Sequence, residues 1–179
     1  MSETSNKKVC VGSLHHITVG VTDIDKSLPF YVDGLGLRKT LDTVVQGEAF
    51  ERLLRLPKNS SARTVFLQGP DRIGQVELVE WRTSENSTPK PCRPGSPGLC
   101  VLSFAVGRSD FEVIQKQLSD AGAVLWSDPV VSVLDGYGEI MAFVAEDRDG
   151  NMIEVVCLPS DKEISNFRKS SRNLDYFKI

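Results

Sequence analysis

The stretch LHHITVGVTDIDKSLPFYVDGLGL, residues 14–37, sets the fold and holds both histidines of the 179-residue chain, side by side. Alternation from Leu14 to Val21 predicts a strand, with Leu14, His16 and Thr18 on one face and His15, Ile17, Val19 and Val21 on the other. The second face is the more continuously apolar, so it is expected to pack on a helix and leave His16 on the opposite side. The helix follows directly as TDIDKSLPFYVDGLG, residues 22–36.

Working outward, strand-like runs fall near 38–45, 62–68 and 75–81. A second series follows residue 98: a strand at 99–106, a helix at 109–122, and strands near 123–133, 139–145 and 152–158. Each half reads β-α-β-β-β. Phe66 and Glu77 are 11 residues apart, as are Phe143 and Glu154, and a turn lies within each interval. Val21-x-x-x-Asp25 matches Val106-x-x-x-Asp110, with each aspartate near a helix start, where an acceptor can satisfy free amides. Gly36 and Gly122 both fall where the helix should end. Four spacings in one order indicate a duplicated module.

The expected organisation is a polar tail (1–12), a first βαβββ module (13–82), a Pro-rich linker (83–98), a second module (99–159) and a C-terminal tail (160–179). In the linker, Pro89, Pro91, Pro94 and Pro97 remove amide donors and forbid regular structure. Ile164, Phe167, Leu174, Tyr176 and Phe177 give the last tail a face to bury as a docking helix.

A net charge of −3 makes no case for nucleic acid or an anionic membrane as partner. No apolar run reaches the roughly 18–20 residues that span a bilayer, and MSETSNKK is too polar for a secretory signal. A small-molecule ligand and a cytoplasmic location are therefore expected. Cys10, Cys92, Cys100 and Cys157 form no C-x-x-C pair and read as reduced structural thiols.

In QVELVEW, Glu77 shares a face with Val79, and in MIEVV, Glu154 shares one with Met152 and Val156. A carboxylate among apolar neighbours loses several kcal/mol of hydration unless it is paired or bound to a cation. The partner is a cation, an Arg or Lys, or a proton that leaves the acid neutral. Glu80, on the other face, reads as solvated.

These segments resemble the vicinal oxygen chelate superfamily, which includes glyoxalases, bleomycin-resistance proteins and dihydroxybiphenyl dioxygenases. Residues 14–37 resemble its opening, a first-strand ligand in an L-x-H-[IV] context followed by D-x-x-x-S-x-x-F-Y-x-x-x-L-G-L. VELVEW and EDRDGNMIEVV resemble its closing strand, with Arg148 where the usual pattern has proline. The resemblance implies an α+β fold in which two βαβββ modules form a cup-shaped, half-open mixed β-barrel, paired within one chain or exchanged in a homodimer. It further implies a divalent metal ion (Zn, Fe, Mn, Co or Ni) on His16, Glu77 and Glu154. The fourth ligand position aligns with Val101, which cannot bind metal, so metal dependence stays open.

What the resemblance implies about activity is an isomerase, epimerase or lyase acting on a small carbonyl-containing metabolite through a metal-stabilised enolate. Glu77 or Glu154 is then the base, and Tyr137, in DGYGE, a proton donor or substrate contact. The alternative is a metal-free small-molecule binding or resistance protein of the same fold, which Val101 favours. A ring-cleaving dioxygenase needs two histidines and a carboxylate, normally in one module, and the second half has no histidine.

Overall fold

In the computed structural model the described residues are 11–70, 74–84, 92–134 and 137–172, with backbone alone for 170–172. The chain runs β1 (His16–Gly20), α1 (Ile24–Pro29), β2 (Arg38–Gln46), α2 (Glu48–Leu54), β3 (Ser61–Gln68) and β4 (Gln75–Arg82). It continues with β5 (Val101–Ala105), α3 (Phe111–Asp120), β6 (Val124–Leu125), β7 (Val130–Leu134), β8 (Gly138–Glu146), β9 (Met152–Cys157) and α4 (Asp161–Arg172). One sheet has the order β1-β4-β3-β2; the other has β5-β9-β8-β6, with β7 also paired to β8. This is the expected α+β fold in two similar halves, and among the described residues neither sheet closes into a barrel, consistent with a half-open cup.

The duplication extends to register. β1 runs parallel to β4 with Thr18 opposite Glu77, and β5 runs parallel to β9 with Ser103 opposite Glu154. Val19, Val21, Leu67, Val76 and Leu78 from the first sheet join Phe143, Ala145, Ile153 and Val155 from the second in one core around Ile24, Phe30, Tyr31, Phe111 and Leu118. Both sheets therefore bury the same kind of face, the one covered by helices. Where the helical segments meet, a Cβ on Gly34 would lie 3.0 Å from Leu118 Cδ2, so glycine permits the approach.

The turn EDRDGN ties the halves together. Asp147 Oδ2 accepts from the buried Tyr31 hydroxyl at 2.8 Å and from Asn151 Nδ2 at 2.9 Å, while Oδ1 takes the amides of Asp149 and Asn151. Asp149 accepts from the Thr22 hydroxyl at 2.6 Å and the Thr22 amide at 3.2 Å. Burial and the facing Asp147 carboxylate push the Tyr31 phenol well above its ordinary pKa. The motif thus clasps one module to the other.

Several sequence expectations are corrected. The helix expected over 22–36 is a short α1 followed by a π-helical turn, Phe30–Gly34, because Pro29 lacks the amide that would continue the α pattern. Asp23, not Asp25, caps α1 by accepting from the Lys26 amide at 3.1 Å. Asp25 instead meets Arg63 at 2.9 Å, and Asp110 makes no capping bond. Gly36 and Gly122 end their helices at φ of 70° and 84°.

The strand expected over 123–133 is two, β6 and β7, separated by a segment containing Pro129. Helix α2 was not legible because none of its residues is buried; its Phe50 stacks on Trp81 at 6.2 Å. Within the C-terminal tail, α4 is opened by Ser160 and Glu163 bonding each other's backbone amides, and its Phe167 lies beside Gly138. Most of the polar tail (1–10), part of the linker (85–91) and the tail end with Leu174, Tyr176 and Phe177 lie outside the described residues.

Candidate functional site

On the side of the first sheet away from α1 and α3, His16 Nε2 lies 3.5 Å from Glu77 Oε2. The imidazole is 36% exposed and the carboxylate 16%. Thr18, two residues beyond His16 and on its face, donates to Oε2 at 2.6 Å, and Thr64 of β3 donates to Oε1 at 2.7 Å. The His16 ring packs edge-on to Phe66 at 5.3 Å. Two hydroxyls and an imidazole thus provide the polar partners that Glu77 requires.

His15 is not on the far face of a continuous strand. β1 begins at His16, so His15 precedes the pleat, and its Nδ1 comes within 2.8 Å of His16 Nδ1. One of these two nitrogens carries the shared proton. If His15 donates, His16 keeps its proton on Nε2, pointing at Glu77. If His16 donates, its Nε2 lone pair faces the carboxylate, an arrangement that repels until a cation enters.

The second sheet repeats half of this constellation. Ser103, the counterpart of Thr18, donates to Glu154 Oε2. Val101, the counterpart of His16, is 38% exposed and offers no donor. Tyr137 sits half-buried in the hairpin between β7 and β8, its amide donating to the Leu134 carbonyl at 3.0 Å.

The structure brings His16 and Glu77 together and places Glu154 on the equivalent face of the other module. Among the described residues no three His, Cys, Asp or Glu side chains form a group that could hold a metal. Thr18, Thr64 and Ser103 were missed by sequence reasoning. Thr18 and Ser103 were findable, since each stands three residues before the matched Val21 or Val106. Thr64 was not, because only the diagonal across β3 and β4 brings it to Glu77.

The donor chemistry fits one half of a cation site. A neutral imidazole nitrogen and a carboxylate oxygen 3.5 Å apart suit neighbouring ligands of one divalent ion. The remaining ligands would come from Glu154 and from substrate or water. Among the described residues, the cavity of about 310 Å³ on the α1–α3 side, lined by Leu37, Leu67, Val76, Phe104, Ile114 and Val155 among others, has no charged side chain in its wall.

Two βαβββ halves with a His–carboxylate pair on an open sheet face define a glyoxalase-like protein. The sequence profile of the Glyoxalase/Bleomycin resistance protein/Dioxygenase superfamily matches residues 13–155, and the chain belongs to that superfamily. A glyoxalase family protein from Bacillus cereus superposes with a TM-score of 0.69 at 18% identity, over 89% of this chain and 100% of that one. A glyoxylase/bleomycin resistance protein/dioxygenase domain from Frankia sp. EAN1pec gives 0.55 at 23% identity, over 84% and 100%. One from Alicyclobacillus acidocaldarius gives 0.52 at 14%, over 84% and 95%. At these identities the likeness is one of fold. No curated protein matches the chain.

Proposed function

We propose that the chain is an isomerase, epimerase or lyase of the vicinal oxygen chelate type, acting on a small carbonyl-containing metabolite at the sheet faces that carry Glu77 and Glu154. The His16–Glu77 pair carries this reading, since it sets a nitrogen and a carboxylate oxygen side by side on an accessible face. These two residues and Glu154 would hold a divalent cation. Such an ion supplies positive charge for a substrate carbonyl oxygen and acidifies the adjacent carbon–hydrogen bond.

The chain's own groups supply the proton traffic and the positioning. Thr18 and Thr64 fix the Glu77 carboxylate in one rotamer, so its charge points along a set direction. Glu154, bonded to a single serine, keeps free acceptor capacity and is the better placed of the two to take the α-proton. Tyr137 is assigned the return of a proton or a contact with substrate.

The same faces expose apolar side chains: Leu41 is 49% and Trp81 41% exposed on the first sheet, and Val130 56% on the second. A homodimer that lays the first module's face on the second module of another copy would cover these groups and bring Glu154 toward His16 and Glu77. Among the described residues no helix is long and apolar enough to cross a membrane.

A metal-free binding or resistance protein is the second reading. Val101 and the hydroxyl partners of Glu77 favour it, because both Glu77 oxygens are hydrogen-bonded without a cation. Elemental mass spectrometry of the purified protein, with and without chelator, separates the two. Stoichiometric metal lost to chelator together with activity supports the enzyme; absence of metal and retention of ligand binding support the pocket.

A further inference from the structure

Cys92 and Cys100 are eight residues apart, yet their Sγ atoms lie 2.7 Å from each other, inside the contact distance of two resting sulfurs and close to the covalent separation of about 2.05 Å. Neither thiol is buried. The loop between them is held in place. Arg93 donates to the Gly150 carbonyl at 3.0 Å, pairs with Glu146, and sets its guanidinium 5.4 Å over the Trp126 ring. The Ser96 amide closes a turn on the Arg93 carbonyl at 3.0 Å. Gly98 adopts a φ of 134°, and a Cβ there would stand 3.3 Å from Cys92 Sγ, so glycine leaves the sulfur its room.

We propose that Cys92 and Cys100 form a reversible dithiol site, which a low-molecular-weight disulfide such as glutathione disulfide converts to an intramolecular disulfide. The surroundings divide the roles. Cys100 Sγ has the carbonyl oxygens of Arg93, Ser96 and Gly98 at 3.4, 3.5 and 3.6 Å, which accept its S–H and disfavour its thiolate. Cys92 has one such neighbour, the Pro97 carbonyl at 3.8 Å, and is the attacking thiol. Its thiolate attacks one sulfur of glutathione disulfide, the S–S bond breaks, and one glutathione leaves as thiol with the proton Cys92 gave up. Cys100 then loses its proton and attacks Cys92 Sγ, releasing the second glutathione. Two protein thiols are oxidised and one small disulfide is reduced to two thiols.

The position gives the reaction a consequence. A cavity of about 120 Å³ at the seam of β1 and β5 is lined by Thr18, Cys92, Cys100, Val101 and Asn151 among others. Closing the disulfide stiffens the wall beside Thr18, the donor to Glu77, and beside Val101. The site does not depend on whether a metal or a substrate occupies the neighbouring face.

The full chain would be equilibrated in glutathione buffers of rising disulfide content, quenched in acid, alkylated with N-ethylmaleimide and mapped by peptide mass spectrometry. Both cysteines fall on one tryptic peptide, since Arg93 is followed by Pro94. That peptide should lose two hydrogens and both labels together at the oxidising end and regain them with dithiothreitol, while Cys157 remains free of disulfide. Cys100→Ser should trap glutathione on Cys92, and Cys92→Ser should leave Cys100 unglutathionylated. Gly98→Ala, which strains the backbone and crowds Cys92, should raise the glutathione disulfide ratio for half-closure by about tenfold. Labels retained throughout, disulfides only between copies, or glutathione trapped on Cys100 instead of Cys92 would overturn the proposal.

Discussion

His15 Nδ1 and His16 Nδ1 stand 2.8 Å apart, sharing one proton, while His16 Nε2 faces Glu77 Oε2 at 3.5 Å. The neighbouring histidine therefore selects the tautomer of the one that faces the carboxylate. In metal sites such a partner fixes the ligand's free nitrogen.

If the site takes a divalent ion as proposed, His16→Ala should abolish its retention, whereas His15→Ala should weaken it by roughly 10-fold, the lower end of the range for an outer-shell partner. Cobalt titration followed by visible absorption measures both. Equal affinities in the two variants would remove His16 from the site.

Glu154→Gln keeps volume and one acceptor but removes charge and basicity. If Glu154 is the base, exchange of substrate α-protons in heavy water should fall by roughly 100-fold or more. In a metal-free pocket the variant would instead melt higher, with ligand affinity within a few-fold. Nuclear magnetic resonance of candidate carbonyl metabolites, alongside calorimetry, reads both outcomes.

The clasp between modules predicts a stability effect with no direct role in chemistry. Tyr31→Phe deletes a buried hydroxyl that donates to Asp147 at 2.8 Å. Loss of a hydrogen bond to a charged group should cost about 1.5–3 kcal/mol in urea unfolding. A loss below about 0.5 kcal/mol would show that the turn carries no tension between the halves.

Arg63 of β3 reaches both Asp42 of β2 and Asp25 of α1, at 3.0 and 2.9 Å. The Arg63 guanidinium, aided by Lys39, holds the Asp42 carboxyl below the usual carboxylate range. A folded-state pKa below the unfolded value stabilises the protein above about pH 4, and that contribution fades as pH falls through the lowered value. The melting temperature of Arg63→Met should therefore lag wild type most at neutral pH and converge on it below about pH 4. A constant gap would assign Arg63's effect to packing.

The fold was legible because its two halves repeat the same spacings and because an alternating strand reports its faces directly. Val19 and Val21 are buried and His16 faces the other way, as the pattern of residues 14–21 required. What stayed hidden depends on contacts between distant segments or on cases where local preference loses. Thr64 reaches Glu77 only through strand pairing, and Cys92 meets Cys100 only because the loop doubles back. Pro29 turned a helix into a π turn that periodicity could not foresee, and Asp147 and Asp149 took part in the resemblance yet serve as a clasp.

The pleat of β1 and β5 divides each strand into two ledgers that can be edited separately. One set of alternate positions, Val19 and Val21 in one half and Leu102, Phe104 and Val106 in the other, belongs to the common interior. The other set, His16 and Thr18 against Val101 and Ser103, faces outward. A duplicated gene encoding such a strand can exchange an imidazole for an isopropyl group at one outward position without touching a single inward one. Kinship between the halves therefore persists in the scaffold after it has lapsed in reactivity, and a chemical asymmetry like that of His16 and Val101 can arise while both copies continue to fold.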